Sequence, residues 1–143
     1  MIGAGRLAFH LAKALRNAGH DIVQVYSRTM ASSSQVAEIA GASPTTDLQT
    51  VVADADVYIL AVTDSALAEV VPVVCKGREQ KVFLHTAGSM PLEVFRGMAM
   101  HYGVFYPMQT FSKERDVDFS QIPCFVEGND ELAVATVSQL AFS

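Results

Sequence analysis

Gly3-Ala4-Gly5-Arg6-Leu7-Ala8 reads G-x-G-x-x-A and opens an amphipathic stripe. A turn of this kind can cradle a pyrophosphate. Its first glycine permits the tight turn, its second lets the backbone approach the phosphates, and its small last residue allows close helix–strand packing. The free N–H groups and positive dipole end of the following helix complete an anion site. An ordinary strand-to-helix turn that needed glycine would read the same way. Ser27-Arg28-Thr29 follows the next apolar run. An NAD site places an acid there for the ribose 2′-hydroxyl, whereas a guanidinium flanked by two hydroxyls suits a 2′-phosphate. NADP is therefore the expected cofactor. Gly3, Ala4, Gly5, Arg6 and Leu7 would line its pyrophosphate, and Ser27, Arg28 and Thr29 its 2′-phosphate. A solvated surface arginine is the plainer reading of Arg28.

Ala61-Val62-Thr63-Asp64 ends the most apolar run, and these first three residues are candidates for the nicotinamide side. Asp64 reads more simply as a helix cap. His85-Thr86-Ala87-Gly88-Ser89 follows another apolar run. His85 could exchange the proton that accompanies hydride transfer, because its free pKa lies near neutrality. Ser89 could orient a substrate oxygen, and these two are the catalytic candidates. Their plain alternatives are a satisfied structural histidine and a cap for the helix at Pro91. Tyr106-Pro107-Met108-Gln109-Thr110-Phe111 mixes aromatic, sulfur and amide groups. Such a mixture fits a pocket wall or a turn packed on the core, with Tyr106 and Gln109 as the substrate-contact candidates. Lys113 and Arg115 could reach an acidic substrate but read more simply as solvated, and His10, His20 and His101 show no metal-ligand spacing.

These residues need a framework that brings them to one edge. Leu7, Ala8, Leu11, Ala12 and Leu15 form one helical stripe that Gly19 ends. Ile22–Tyr26 is a nearly continuous apolar run, as expected of a strand covered on both faces. Ser32 and Gln35 fit a capping box, with Gly41 closing that helix. Asp47 can cap a short turn, Val57–Val62 is a core strand, and a helix capped by Asp64 or Ser65 should stop at Pro72. Val82–His85, His101–Tyr106 and Cys124–Val126 read as later strands, and Asn129 or Asp130 starts a last helix. Alternation of this kind predicts an α/β, doubly wound, mainly parallel sheet with helices on both faces. Ligands bind such sheets beyond the carboxyl ends of the strands, where the strand order reverses.

The chain has 143 residues, of which 50% are hydrophobic and 17% charged, so it is expected to form one folded domain and not a disordered segment. Its net charge of −5 disfavours a nucleic-acid module that works through a basic surface. No apolar run is long enough for a transmembrane helix, and Gly3 and Gly5 interrupt any signal-peptide core. Two widely spaced cysteines, Cys75 and Cys124, suggest the reducing cytoplasm.

Ile2-Gly3-Ala4-Gly5, Ser27-Arg28-Thr29, Ala61-Val62-Thr63-Asp64, His85-Thr86-Ala87-Gly88-Ser89 and Tyr102–Phe111 occur in this order. Together they resemble a Rossmann-like family named as NADP oxidoreductases without an established substrate. That family is similar to pyrroline-5-carboxylate reductase, 6-phosphogluconate dehydrogenase and the deazaflavin-dependent NADP reductases. The resemblance implies a cofactor domain over residues 1–143, shortened at both ends. It also implies an all-helical second domain that dimerises and helps to form the site for a small-molecule substrate. The expected function is an NADP(H)-binding domain of an oxidoreductase. A non-catalytic dinucleotide-sensing module and an interaction domain that has lost its ligand are the alternatives. Cofactor binding without turnover would mark the first, and absence of cofactor binding the second.

Overall fold

The computed structural model describes residues 1–108 and 118–141. In chain order it contains α1 (Arg6–Asn17), β1 (Gln24–Tyr26), α2 (Met30–Ala40), β2 (Ser43–Thr45), β3 (Val57–Leu60), α3 (Asp64–Cys75), β4 (Val82–His85), β5 (His101–Pro107), β6 (Cys124–Gly128) and α4 (Glu131–Ala141). Short 3₁₀ turns lie at Leu48–Thr50, Leu92–Phe95 and Phe119–Gln121.

One strand of the sheet is barely a strand at all. β1 pairs with β2, and β3 pairs in turn with β4, β5 and β6. Ile2 joins these two ladders, bridging Tyr26 on one side and Leu60 on the other, both in parallel. Its N–H donates to the Ile59 carbonyl at 2.7 Å and its carbonyl accepts from Ala61 N–H at 2.7 Å. On the β1 side, Tyr26 N–H donates to the Met1 carbonyl at 3.0 Å and Gly3 N–H to the Tyr26 carbonyl at 2.8 Å. Met1 and Ile2 thus do the work of a central strand. The order across the sheet is β2, β1, Ile2, β3, β4, β5, β6, with only β6 antiparallel. This is the expected doubly wound, mainly parallel arrangement, and its order reverses between Ile2 and β3.

Side-chain alternation along the strands divides the core between the two faces. Val25, Ile59, Leu84 and Phe105 pack with Leu11 and Leu15 of α1, Val36 of α2 and Val137 of α4. Tyr58, Leu60 and Phe83 point the other way, against Leu67, Val71 and Val74 of α3 and against Phe95. Cys75 lies within that second layer, where burial pushes its thiol up to about 12 and makes it an inert core residue. Cys124 is half-buried, and burial raises its thiol as well.

Several local elements differ from the sequence expectations. α2 starts at Met30, capped by the Thr29 hydroxyl accepting from Ser32 N–H at 3.3 Å, so Ser32 is inside the helix and not its cap. Thr63, not Asp64 or Ser65, caps α3. Pro72 does not end that helix. It stands inside it, and the buried run of Val70, Val71, Val74 and Cys75 carries the helix past the missing hydrogen bond. Ser89 does not cap the turn at Leu92–Phe95, whose cap position is held by Pro91. β2, containing Pro44, was not anticipated. A three-residue edge strand tolerates proline because its outer side has no ladder partner among the described residues.

Candidate functional site

The glycine turn sits above Ile2, where the strand order reverses. Gly3 has φ +113°, and a Cβ placed on it would collide with the Ala61 carbonyl group, 2.8 Å from its carbon. Its glycine is therefore demanded by the fold. Gly5 is different. Its φ of −79° is open to any residue, and a Cβ there would meet nothing within 4 Å. Neither conformation nor packing requires glycine at this position; what its absent side chain leaves is space at the N-terminus of α1. Gly5 offers no side-chain cap, and no acidic residue stands in the first turn. The first intrahelical rung is Phe9 N–H to the Gly5 carbonyl at 3.0 Å, so the Arg6, Leu7 and Ala8 N–H groups are left facing outward. Free donors, a positive dipole end and empty space together fit an anion such as a pyrophosphate.

That space opens into a cleft of about 450 Å³. Its walls are Gly5–Ala8, Ala61–Asp64 after β3, Thr86–Ser89 after β4, and Tyr106 of β5. The cleft therefore gathers Gly5, Arg6, Leu7, Ala61, Val62, Thr63, Ser89 and Tyr106 from the sequence candidates. Ala4 is buried beneath the turn, at 7% exposure, and touches the core instead. Tyr106 is fixed by a close approach: its ring lies where a Cβ on Gly88 would fall, 2.5 Å from Cε2. Gln109 lies outside the described residues.

Ser27, Arg28 and Thr29 follow β1, beside the glycine turn on the other side of Ile2. They are not part of the cleft wall. Ser27 N–H donates to the Thr45 carbonyl at 3.1 Å, and Ser27 Oγ accepts from Thr29 N–H at 3.4 Å. Arg28 is exposed. Thr29 serves as the α2 cap, so its hydroxyl has a structural task that the sequence reading did not give it.

His85 is a correction. It ends β4 on the expected sheet edge, but it shares the parity of Phe83 and points into the α3 layer, not into the cleft. It is 0% exposed and stacks on Phe95, with ring centroids 5.8 Å apart. Nδ1 accepts from Ala87 N–H at 3.1 Å, which leaves the proton on Nε2, facing the Pro91 carbonyl at 3.1 Å. Both nitrogens are committed to the loop, and the ring is not part of the cleft wall. Burial holds the imidazole below its ordinary value of 6.5, with the Pro91 carbonyl and the Asp64 and Glu127 charges opposing. The fold thus keeps a neutral ring that the unfolded chain protonates below pH 6.5. This part of the stability is complete above that pH and declines as pH falls from there toward the lower folded value. His85→Leu should remove this acid slope while costing about 1–3 kcal/mol at neutral pH, from the two groups left unpaired. Urea melts across the mildly acidic range check both; an unchanged slope would contradict the burial of this ring.

The sequence reading did not single out Thr86 or Asp64 as cleft residues, yet both line it. Thr86 is 6% exposed and lines the cleft. Asp64 accepts the hydroxyl proton of Ser89. Position immediately after a strand was the available signal for both.

A second cavity, of about 320 Å³, lies at the opposite, amino-terminal edge of the sheet. Its walls include the facing edges of β1 and β3 below Met1, such as Gln24 and Val57. It is a gap between strands and does not lie at their carboxyl ends, where the polar residues converge.

The model of the Rossmann-like domain family matches residues 1–107. A Bacteroides fragilis protein named a "putative NADP oxidoreductase" has a crystal structure that superposes with TM-score 0.94 at 49% identity, covering 99% of this chain and 55% of that one. A pyrroline-5-carboxylate reductase from Coxiella burnetii superposes with TM-score 0.79 at 19% identity, covering 98% and 53%. Prephenate dehydrogenase from A. aeolicus, in complex with hydroxyphenyl propionate and NAD+, gives 0.82 at 16% identity, covering 99% and 55%. The latter two share the fold. No curated protein matches the chain. The chain spans about half the length of these solved structures.

Proposed function

The chain belongs to the Rossmann-like domain family, and we propose that it is the NADP(H)-binding domain of an oxidoreductase acting on a small molecule. The observation that carries this reading is Gly5, a glycine that neither backbone nor packing demands, at the mouth of a helix N-terminus in the switch-point cleft. The Arg6 and Leu7 N–H groups hold the pyrophosphate. Ala61, Val62 and Thr63 form the wall on the nicotinamide side. Ser27, Arg28 and Thr29 receive the 2′-phosphate, and the name of the 49% identical protein supports NADP over NAD. When bound, the cofactor supplies or accepts a hydride. Ser89, Tyr106 and Gln109 contact the substrate, while His85 holds the Thr86–Pro91 loop in shape.

Tyr106, Met108 and Phe125 are exposed together near the β5–β6 edge, Tyr106 and Phe125 being register partners. An apolar surface of this kind suits an interface. In this reading a helical second domain covers it, completes the substrate site and pairs two copies. No helix among the described residues is long and apolar enough to cross a membrane, and the inert Cys75 thiol suits a cytoplasmic protein.

Cofactor choice is the test. Arg28 would give a charge-assisted bond only to the 2′-phosphate, worth about 1.5–3 kcal/mol. Arg28→Ala should weaken NADPH about tenfold or more and leave NADH nearly unchanged in calorimetric titrations. Equal losses for both would remove the NADP assignment. A sensing module without turnover is favoured by one observation, the sequestration of His85. NADP(H) binding without NADPH consumption by the whole protein, across candidate substrates, would establish it.

A further inference from the structure

An aspartate at the start of a helix ordinarily serves that helix. Asp64 does not cap α3, because Thr63 Oγ1 already accepts from Ala66 N–H at 3.4 Å. Its carboxylate instead accepts the hydroxyl proton of Ser89, 25 residues further along, and ties the loop after β3 to the loop after β4. Both side chains are exposed, and both residues line the cleft.

The direction of this bond decides what the pair can recognise. A serine hydroxyl has a single proton and two lone pairs, and a carboxylate only accepts. With its proton committed to Asp64, Ser89 presents lone pairs to the cleft, and Asp64 adds negative charge and a second oxygen. The cationic side chain among the described lining residues is Arg6, on α1 at the glycine-turn end. Thr86, which also lines the cleft, can donate or accept. A carbonyl oxygen placed against Ser89 and Asp64 would face acceptors. A hydrogen-bearing cationic nitrogen would meet them with charge-assisted bonds, roughly twice as strong as neutral ones.

We propose that Asp64 determines substrate specificity through Ser89, and that this end of the cleft takes a substrate by a cationic, hydrogen-bearing nitrogen, an ammonium or iminium group. The inference rests on the reading of the cleft as the NADP(H) site, with the substrate beside it.

Cyclopentylammonium and cyclopentanone are matched probes. Each is titrated into the isotope-labelled chain saturated with NADP+, and the amides of Ala87–Met90 are followed by NMR. The ammonium should bind with saturable shifts there, at least about tenfold tighter than the ketone. Asp64→Asn keeps the side-chain size but offers an amide that can donate to Ser89 Oγ, which frees the serine proton. That variant should lose about tenfold or more of the ammonium affinity and gain affinity for the ketone. Asp64→Glu should retain the ammonium preference. Ketone binding as tight as ammonium, no binding of either, or an unchanged ratio in Asp64→Asn would overturn the proposal. NADP+ binding is measured first in the same samples. Its failure would overturn the cofactor reading instead, and the two probes titrated without it would still decide the role of the pair.

Discussion

Gly5→Val should abolish NADP(H) binding and leave the domain folded. The backbone at Gly5 is one that valine adopts, and the new side chain would meet no protein atom near its Cβ. It would instead fill the space in front of the Arg6 and Leu7 N–H groups. Each charge-assisted bond lost there is worth about 1.5–3 kcal/mol, so a loss of two corresponds to a weakening on the order of 100-fold or more. The stability cost is that of exchanging a glycine cap for a poorer one, about 1 kcal/mol or less, or a few degrees in Tm. Calorimetric titration and a thermal melt on the same sample check the two halves. Unchanged affinity would place the phosphates elsewhere.

Gly3→Ala should do the reverse. Its φ of +113° is hostile to a side chain, and its Cβ would run into the Ala61 backbone, which is itself held by Ala61 N–H bonded to the Ile2 carbonyl at 2.7 Å. That collision pries Ile2 away from β3, and Ile2 is the link between the two ladders. A cost of about 3 kcal/mol or more is expected, a large fraction of the roughly 5–15 kcal/mol that holds a domain together. Urea and thermal melts would show it as a Tm lower by about 10 °C or more. Stability within a degree or two of the unsubstituted chain would mean that the turn can relax and that Gly3 is not the keystone of this sheet. The two predictions assign the glycines of one motif separate tasks, Gly3 to the fold and Gly5 to a ligand.

What could be read in the sequence follows from how local the causes are. The glycine turn, β4 at Val82–His85 and the Asp47 cap of the Leu48–Thr50 turn depend on neighbouring residues, and all stand where expected. Asp130, expected at the start of α4, accepts from Ala133 N–H at 2.8 Å. Other features depend on partners far along the chain. Two residues suffice as a central strand because β1 and β3 supply ladder bonds from both sides. Ser89 looked like a cap because Pro91 follows it; its actual partner is Asp64. His85 occupies a strand end that faces ligands in such sheets, yet strand parity sends its ring under the loop, and parity at a strand end depends on register. The Pro72 error has the same origin, since tertiary burial outweighs a local helix breaker.

The most direct measurement is an NMR titration of the isotope-labelled chain with NADPH and, separately, NADH. NADPH should produce saturable amide shifts at Gly3–Leu7, Ser27–Thr29 and Ala61–Thr63, and should bind more tightly than NADH. Absence of saturable shifts at millimolar NADPH would contradict NADP(H) binding in this cleft. So would shifts confined to the gap between β1 and β3, around Gln24 and Val57.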